Sequence, residues 1–175
     1  MHLMKRFNWF SASLFLVAAF STGAQEVGVL HLRPLHLEIP ATWSFDGSKN
    51  PIEGLGPNGE KALVSIMRRK PSAASEPTPS AREITLGFSS GPMHQLAKNA
   101  GQVIRPVSEL AAPEGKIIYS SGSEKSAVFS GKSYFVQYAI ASPGVLIYIT
   151  FEGKGELGPA MQQFDGFIAT QRWDE

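Results

Sequence analysis

The chain has 175 residues, of which 43% are hydrophobic and 18% are charged, and it contains no cysteine. This size and composition fit one globular domain whose core holds together without disulfide bonds. The formal net charge of +1 gives no indication of nucleic acid or an anionic membrane as a partner.

The first residues have the pattern of a secretory signal peptide. Lys5 and Arg6 form a short basic region, and residues 7–20 are mostly apolar with no acidic residue. Small residues at 22–24 then offer a cleavage site. We therefore expect a signal peptide over 1–24, with cleavage near Ala24, and a periplasmic or secreted product. No cysteine follows that could carry a lipid anchor.

The first half of the mature chain reads as strands and loops. A strand is predicted over 29–39, with a break or an edge position because Pro34 cannot donate to a sheet ladder. Residues 46–59 form a polar, glycine-rich loop, and 62–67 form the next strand. Residues 71–81 contain proline, serine and alanine without a large apolar side chain. This composition predicts a flexible loop.

The middle of the chain alternates short strands with one helix. Strands are predicted over 84–88, 103–107, 116–121 and 127–129, and a short helix is predicted over 92–100. The strands outnumber the helices, and most connections are short enough for antiparallel pairing.

The C-terminal part carries the strongest patterns. Apolar residues alternate over 134–140 and 145–151 around turn residues at 142–144, which predicts a hairpin in the centre of a sheet. From Leu157 the spacing changes to that of a helix, whose apolar stripe consists of Leu157, Met161, Phe164 and Ile168. A hairpin with this helix packed across it is the expected core, and residues 25–175 are expected to form a single domain.

Two glycine patterns resemble catalytic or cofactor motifs. Residues 87–91 match the nucleophile elbow G-x-S-x-G around Ser89, but the only histidine after Ser89 is His94, which precedes every plausible acid. Residues 54–59 match the spacing G-x-G-x-x-G of dinucleotide-binding loops. A β-rich run follows them where that motif needs a helix, so they read as a turn.

The remaining polar residues give no clear site. His31 and His36 lie on one broken strand without a third ligand, so the sequence predicts no metal site. Tyr134, Tyr138 and Tyr148 read as core or half-buried sheet positions. No catalytic, cofactor-binding or metal-binding residue is assigned from the sequence.

One stretch resembles a known family. Ile39–Trp43 resembles the strand-proline-x-glycine-tryptophan opening of PsbP-like domains, which include extrinsic proteins of photosystem II and bacterial DcrB-like periplasmic proteins; Thr42 stands where glycine is usual. The helix at 92–100, the hairpin at 133–151 and the final helix follow the same plan. Residues 168–170 lie where the family ends its last helix with a small hydroxyl residue. The resemblance implies an α+β fold, an antiparallel sheet with helices on both faces in a PsbP-like α/β/α sandwich.

The resemblance also implies an accessory role, since many such proteins assist assembly or act like chaperones without an active site. We expect a non-enzymatic binding or accessory protein, chaperone-, assembly- or immunity-like, that engages another protein. No cofactor, nucleic acid or integral membrane segment after signal cleavage is expected. Two alternatives stay open: a small secreted hydrolase that uses Ser89 or an unseen carboxylate pair, and a carrier of a small apolar ligand between sheet and helix.

Overall fold

The structure is a computed structural model, and it describes residues 26–69 and 75–174. The predicted signal peptide over 1–24 lies outside the described residues, as do residues 71–74 of the predicted flexible loop. The flexibility of that loop stays a prediction.

Ten strands and three helices make up the described part of the chain. The strands are β1 (Val27–His31), β2 (Leu35–Pro40), β3 (Ser44–Asp46), β4 (Ile52–Leu55), β5 (Lys61–Arg68), β6 (Gln102–Leu110), β7 (Ile117–Ala127), β8 (Gly131–Ser142), β9 (Val145–Lys154) and β10 (Arg172–Trp173). The helices are α1 (Ala81–Thr85), α2 (Pro92–Ala100) and α3 (Leu157–Ala169).

The strands form two antiparallel sheets. The large sheet has seven strands in the order β3-β4-β5-β9-β8-β7-β6, and the small sheet has the order β1-β2-β10. The predicted α+β class with an antiparallel sheet is therefore confirmed. The predicted hairpin is confirmed as β8 and β9, which pair from Ser133 with Lys154 to Ser142 with Val145 around Gly144.

The larger hydrophobic cluster lies between the large sheet and α3. All four residues of the predicted helical stripe are buried. Phe164 stacks on Phe151 of β9 with a distance of 4.0 Å between the ring centroids, and the cluster includes Tyr138 and Ile149. At the end of α3 the Thr170 hydroxyl donates to the Phe167 carbonyl at 2.7 Å. The core predicted from the C-terminal patterns is therefore confirmed.

A smaller hydrophobic cluster joins α1 and α2 to the same strands. Ala81 of α1 and Met93 of α2 are buried against Ala139 and Ala141 of β8 and Leu146 of β9. These residues of β8 alternate with Tyr138 and Ile140, which belong to the larger cluster. Because neighbouring residues of a strand point to opposite faces, the two clusters lie on opposite sides of the sheet.

The strand predicted over 84–88 is wrong. Residues 81–85 form α1, which begins after a capping box. The Ser80 hydroxyl accepts from the Glu83 amide at 3.3 Å, and the Glu83 carboxylate accepts from the Ser80 amide at 2.8 Å. These two hydrogen bonds satisfy amides that a first helical turn leaves free, so the short segment folds as a helix.

Other boundaries also differ from the prediction. The single broken strand over 29–39 is two strands, β1 and β2, which pair around a turn at 32–34. The loop predicted over 46–59 contains β4, whose Gly54 leaves room for the Phe45 ring: a Cβ there would approach that ring to 2.5 Å. The sheet does not continue through 127–129, because β7 ends at Ala127 and residues 128–130 form the turn into β8.

Candidate functional site

Ser89 does not lie in a nucleophile elbow. Residues 86–91 form turns that follow α1, so a helix stands where the motif requires a strand. The Ser89 hydroxyl donates to the Thr85 carbonyl at 3.3 Å, which is a local contact within this turn. The G-x-S-x-G match is therefore a helix-to-helix connection.

Gly54 and Leu55 end β4, and residues 56–60 form the turn into β5, so the sequence predicts the turn correctly but begins it two residues early. The Glu60 carboxylate accepts from the Asn58 backbone amide at 2.8 Å and from the Asn58 side-chain amide at 3.0 Å. The amide donors of Asn58 that a phosphate would need are therefore already hydrogen-bonded to a carboxylate. These hydrogen bonds stabilise the turn itself.

The fold brings His31 and His36 together with Asp174. The two Nδ1 atoms lie 2.6 Å apart, and Nε2 of His36 lies 2.5 Å from Oδ1 of Asp174. The three groups form a chain of hydrogen bonds across β1, β2 and the residue after β10, so their donor atoms face one another and do not converge on one point. Within residues 26–69 and 75–174, no group of three or more His, Asp or Glu side chains is arranged so that it could hold a metal ion.

A second polar cluster fastens α3 to the large sheet. Arg105 of β6 donates two hydrogen bonds to the Asp165 carboxylate, at 2.9 and 2.8 Å, and the Tyr138 hydroxyl donates to the same carboxylate at 2.5 Å. Partial burial acts to raise the pKa of Asp165, but the hydrogen bonds from Arg105 and Tyr138 outweigh it and hold that pKa below its usual range. Perturbed pKa values often mark active sites. Here the three groups satisfy one another's hydrogen-bonding capacity, so the cluster is a structural contact that joins α3 to the sheet.

The change Asp165→Asn tests this contact. We expect it to lower the free energy of unfolding by about 1–2 kcal/mol at neutral pH, since a charge-assisted pair is lost at a site that is partly exposed. The pKa of Asp165 is lower in the folded state, so the wild-type advantage is present above about pH 4 and is lost as the pH falls through the folded-state pKa. Urea unfolding at several pH values measures this difference. A difference that stays constant into acid would contradict the assignment.

Strands β4 and β5 carry an exposed apolar region of the large sheet. Ala62 and Val64 of β5 belong to the cluster under α3, so Leu63 between them points to the other face. On that other face, α1 and α2 pack over strands β6–β9. Leu55, Leu63 and Met67 keep 54%, 42% and 43% of their surface exposed.

We call this region the open face, and it consists of Glu53, Leu55, Lys61, Leu63, Met67, Thr150 and Glu152. A shallow cavity of about 570 Å³ runs along it, from Ser44 and Asp46 at the sheet edge to Thr150 on β9. A second cavity of about 580 Å³ shares Lys61 and Glu152 with the first and continues past Phe135 to Ala100 at the end of α2. Together they make one groove with an apolar centre and charges of both signs at its rim.

Sequence reasoning missed the open face because it treated residues 46–59 as a loop. Only a short pattern in the sequence could have indicated β4. Ile52 and Leu55 flank Glu53 and Gly54 just before the apolar run of β5. Without the pairing of β4 with β5, the exposed side of that run cannot be told from its buried side.

Comparisons with known proteins show the fold. No protein-family model matches the sequence. No curated protein matches it either. The solution structure of cyanobacterial PsbP, CyanoP, from Synechocystis matches 90% of this chain and 98% of that one with a TM-score of 0.53 and 13% identity. A crystal structure from Bacteroides thetaiotaomicron matches 81% of this chain with the same TM-score of 0.53 and 8% identity.

The chain spans only 46% of the Bacteroides protein, whereas it matches CyanoP along nearly its whole length. The expected PsbP-like resemblance is therefore confirmed at the level of the fold. Within residues 26–69 and 75–174, no helix is both long and apolar enough to cross a membrane.

Proposed function

We propose that this protein is a non-enzymatic accessory protein that binds another protein through its open face, after residues 1–24 have been removed as a signal peptide during export. Two observations support the accessory role: the PsbP-like fold, and the exposed leucines and methionine on β4 and β5. The basic and apolar pattern at the N-terminus supports a periplasmic or secreted location.

The open face is the single feature that carries the proposal. Large apolar side chains on a sheet face are normally covered by a helix or a second sheet, and here Leu55, Leu63 and Met67 remain exposed on one face. Around them, Lys49 forms an ion pair with Glu53 at 2.6 Å, and Lys61 pairs in register with Glu152. An apolar centre with a charged rim is the usual anatomy of a protein–protein interface.

The partner chemistry follows from this anatomy. The groove is open along its length, so it fits a segment of polypeptide that presents apolar side chains to Leu55 and Leu63 and charged groups to the rim. A chaperone client, an assembly partner and a toxin held by an immunity protein all meet that description. The open face therefore defines the class of partner, and affinity capture identifies the individual protein.

The carrier alternative places a ligand between sheet and helix, where Phe164 and Phe151 are in stacking contact and both are buried. The hydrolase alternative uses either Ser89, whose turn follows a helix, or a carboxylate pair. Neither alternative gains a favouring observation from the structure.

Leu63→Glu tests the proposal. Tagged protein is used to capture partners from a periplasmic extract, and each partner is identified by mass spectrometry and its affinity measured. The wild type is expected to retain a stoichiometric partner, and Leu63→Glu is expected to weaken its binding by about tenfold or more, because a charge is placed in the centre of the interface.

Leu96→Glu is the matched control, since Leu96 lies on α2 and is 42% exposed, the same fraction as Leu63. It should bind like the wild type. Equal binding by Leu63→Glu and the wild type would refute the open face as the interface. N-terminal sequencing of the periplasmic protein tests export, and an intact Met1 would contradict cleavage near Ala24.

A further inference from the structure

The hairpin of β7 and β8 extends beyond the strands on either side of it. Strand β6 begins at Gln102, which pairs with Glu124, and β9 ends at Lys154, which pairs with Ser133. Strands β7 and β8 continue to the pair of Ala127 with Gly131. The last two rungs of this hairpin therefore project from the sheet.

Two large apolar side chains occupy the projecting turn. Val128 is 93% exposed and Phe129 is fully exposed, the highest values among the large hydrophobic residues in the part of the chain that the structure describes. Gly131, with a φ of 71°, closes the turn in a conformation that favours glycine. Exposing a phenylalanine completely forfeits the stabilisation that its burial gives, and burial against a partner outside the fold would restore it.

The charges nearest to the tip are all positive. Residues 125–132 contain Lys125 and Lys132 and no acidic residue. Lys125, Ser133 and Lys154 lie side by side across β7, β8 and β9, so two lysines share one row on one face of the hairpin. On the other face Lys132 pairs with Glu124 and Glu156 at 3.2 and 3.3 Å, which fastens the hairpin to the start of α3.

We propose that this hairpin tip docks the protein on an anionic lipid bilayer, with Val128 and Phe129 inserted among the lipids and Lys125 and Lys154 facing the headgroups. Two apolar side chains at the tip of a turn reach only the boundary between headgroups and acyl chains, and flanking lysines gain free energy from the negative surface potential. The near-zero net charge of the whole chain does not oppose this, because at physiological salt the membrane's surface potential acts mainly on charges within about 8 Å of it. The interaction is peripheral and reversible. It is independent of the open face.

Vesicle sedimentation tests this docking with the processed protein purified from the periplasmic fraction. Wild-type protein is expected to sediment with vesicles of phosphatidylcholine and phosphatidylglycerol and to be released by high salt. Phe129→Ser should weaken binding by about tenfold, since the burial of one aromatic side chain is lost. Lys125→Gln should weaken it by about fivefold on anionic vesicles and leave binding to pure phosphatidylcholine unchanged.

Leu86→Ser is the control, because Leu86 is also a highly exposed apolar residue, at 82%, but lies in the turn after α1. It should sediment like the wild type, and so should Leu63→Glu. The absence of wild-type sedimentation, or equal sedimentation of Phe129→Ser, would overturn the proposal. If the wild type does not bind vesicles and Phe129→Ser instead loses binding to a captured protein, the tip binds a protein and the lipid proposal is refuted.

Discussion

Phe164→Ala is expected to lower the free energy of unfolding by about 3–5 kcal/mol, the usual cost of truncating a buried aromatic residue. Phe164 is fully buried and stacks on Phe151, and its ring also lies 6.1 Å from Trp43 and 6.0 Å from Tyr134. The alanine removes the central ring of this group and leaves a cavity that surrounding strands cannot close. The loss can be measured by urea unfolding followed by tryptophan fluorescence.

Gln163→Ala is the control on the same helix. Gln163 is exposed, so its removal should change stability by less than about 0.5 kcal/mol while it leaves helix propensity equal or better. For a domain of this size, the Phe164 variant should also melt about 6–20 °C lower. A melting temperature equal to that of the wild type would mean that α3 does not pack on the sheet as described.

This part of the fold is also the part that the sequence predicts well. Strands β8 and β9 and helix α3 have long apolar runs, and a period of two or of 3.6 residues is unambiguous over that length. The helix α2 has its predicted ends, and Gly101 follows its last residue as expected. Burial in these elements follows from local pattern alone.

The candidate sites could not be predicted in the same way, because each depends on contacts between distant segments. Asp174 contacts His36 across 138 positions, and Asp165 contacts Arg105 across 60. The open face depends on which strands α1 and α2 leave uncovered, and the end of α1 lies in a segment, 84–88, that was predicted as a strand. Val128 and Phe129 were predicted as sheet residues because they are apolar. Their exposure becomes evident only once the end of β7 is known.

Gln137 is a further residue whose role no local pattern indicates. It lies in the apolar run of β8 and is completely buried. Its Nε2 atom donates to the Ser121 hydroxyl at 2.7 Å and to the Met93 carbonyl at 3.1 Å, and its Oε1 atom accepts from the Tyr148 hydroxyl. Burial raises the pKa of the Tyr148 hydroxyl, which keeps it protonated as the donor. One amide thus links β7, β9 and α2.

Gln137→Leu is expected to lower the free energy of unfolding by about 2–5 kcal/mol, although leucine is apolar and of similar length. The cost comes from the buried groups that lose a partner, since each unsatisfied donor or acceptor costs about 1–3 kcal/mol. A purely hydrophobic account of this side of the sheet predicts the reverse, a neutral or stabilising change. Chemical unfolding of the variant therefore distinguishes a hydrogen-bond network from simple packing.

Tyr148→Phe completes a double-mutant cycle. The cycle tests whether the Tyr148 hydroxyl, left without its acceptor, contributes to the destabilisation by Gln137→Leu. In the wild type, Tyr148→Phe removes the donor to Gln137 and should destabilise the protein by about 1 kcal/mol. In the Gln137→Leu background it removes a buried hydroxyl that has lost its acceptor, so the same change should be neutral or stabilising. The two effects then differ by about 1–2 kcal/mol, well outside the additivity expected of independent sites. Strict additivity would show that Tyr148 does not donate to Gln137.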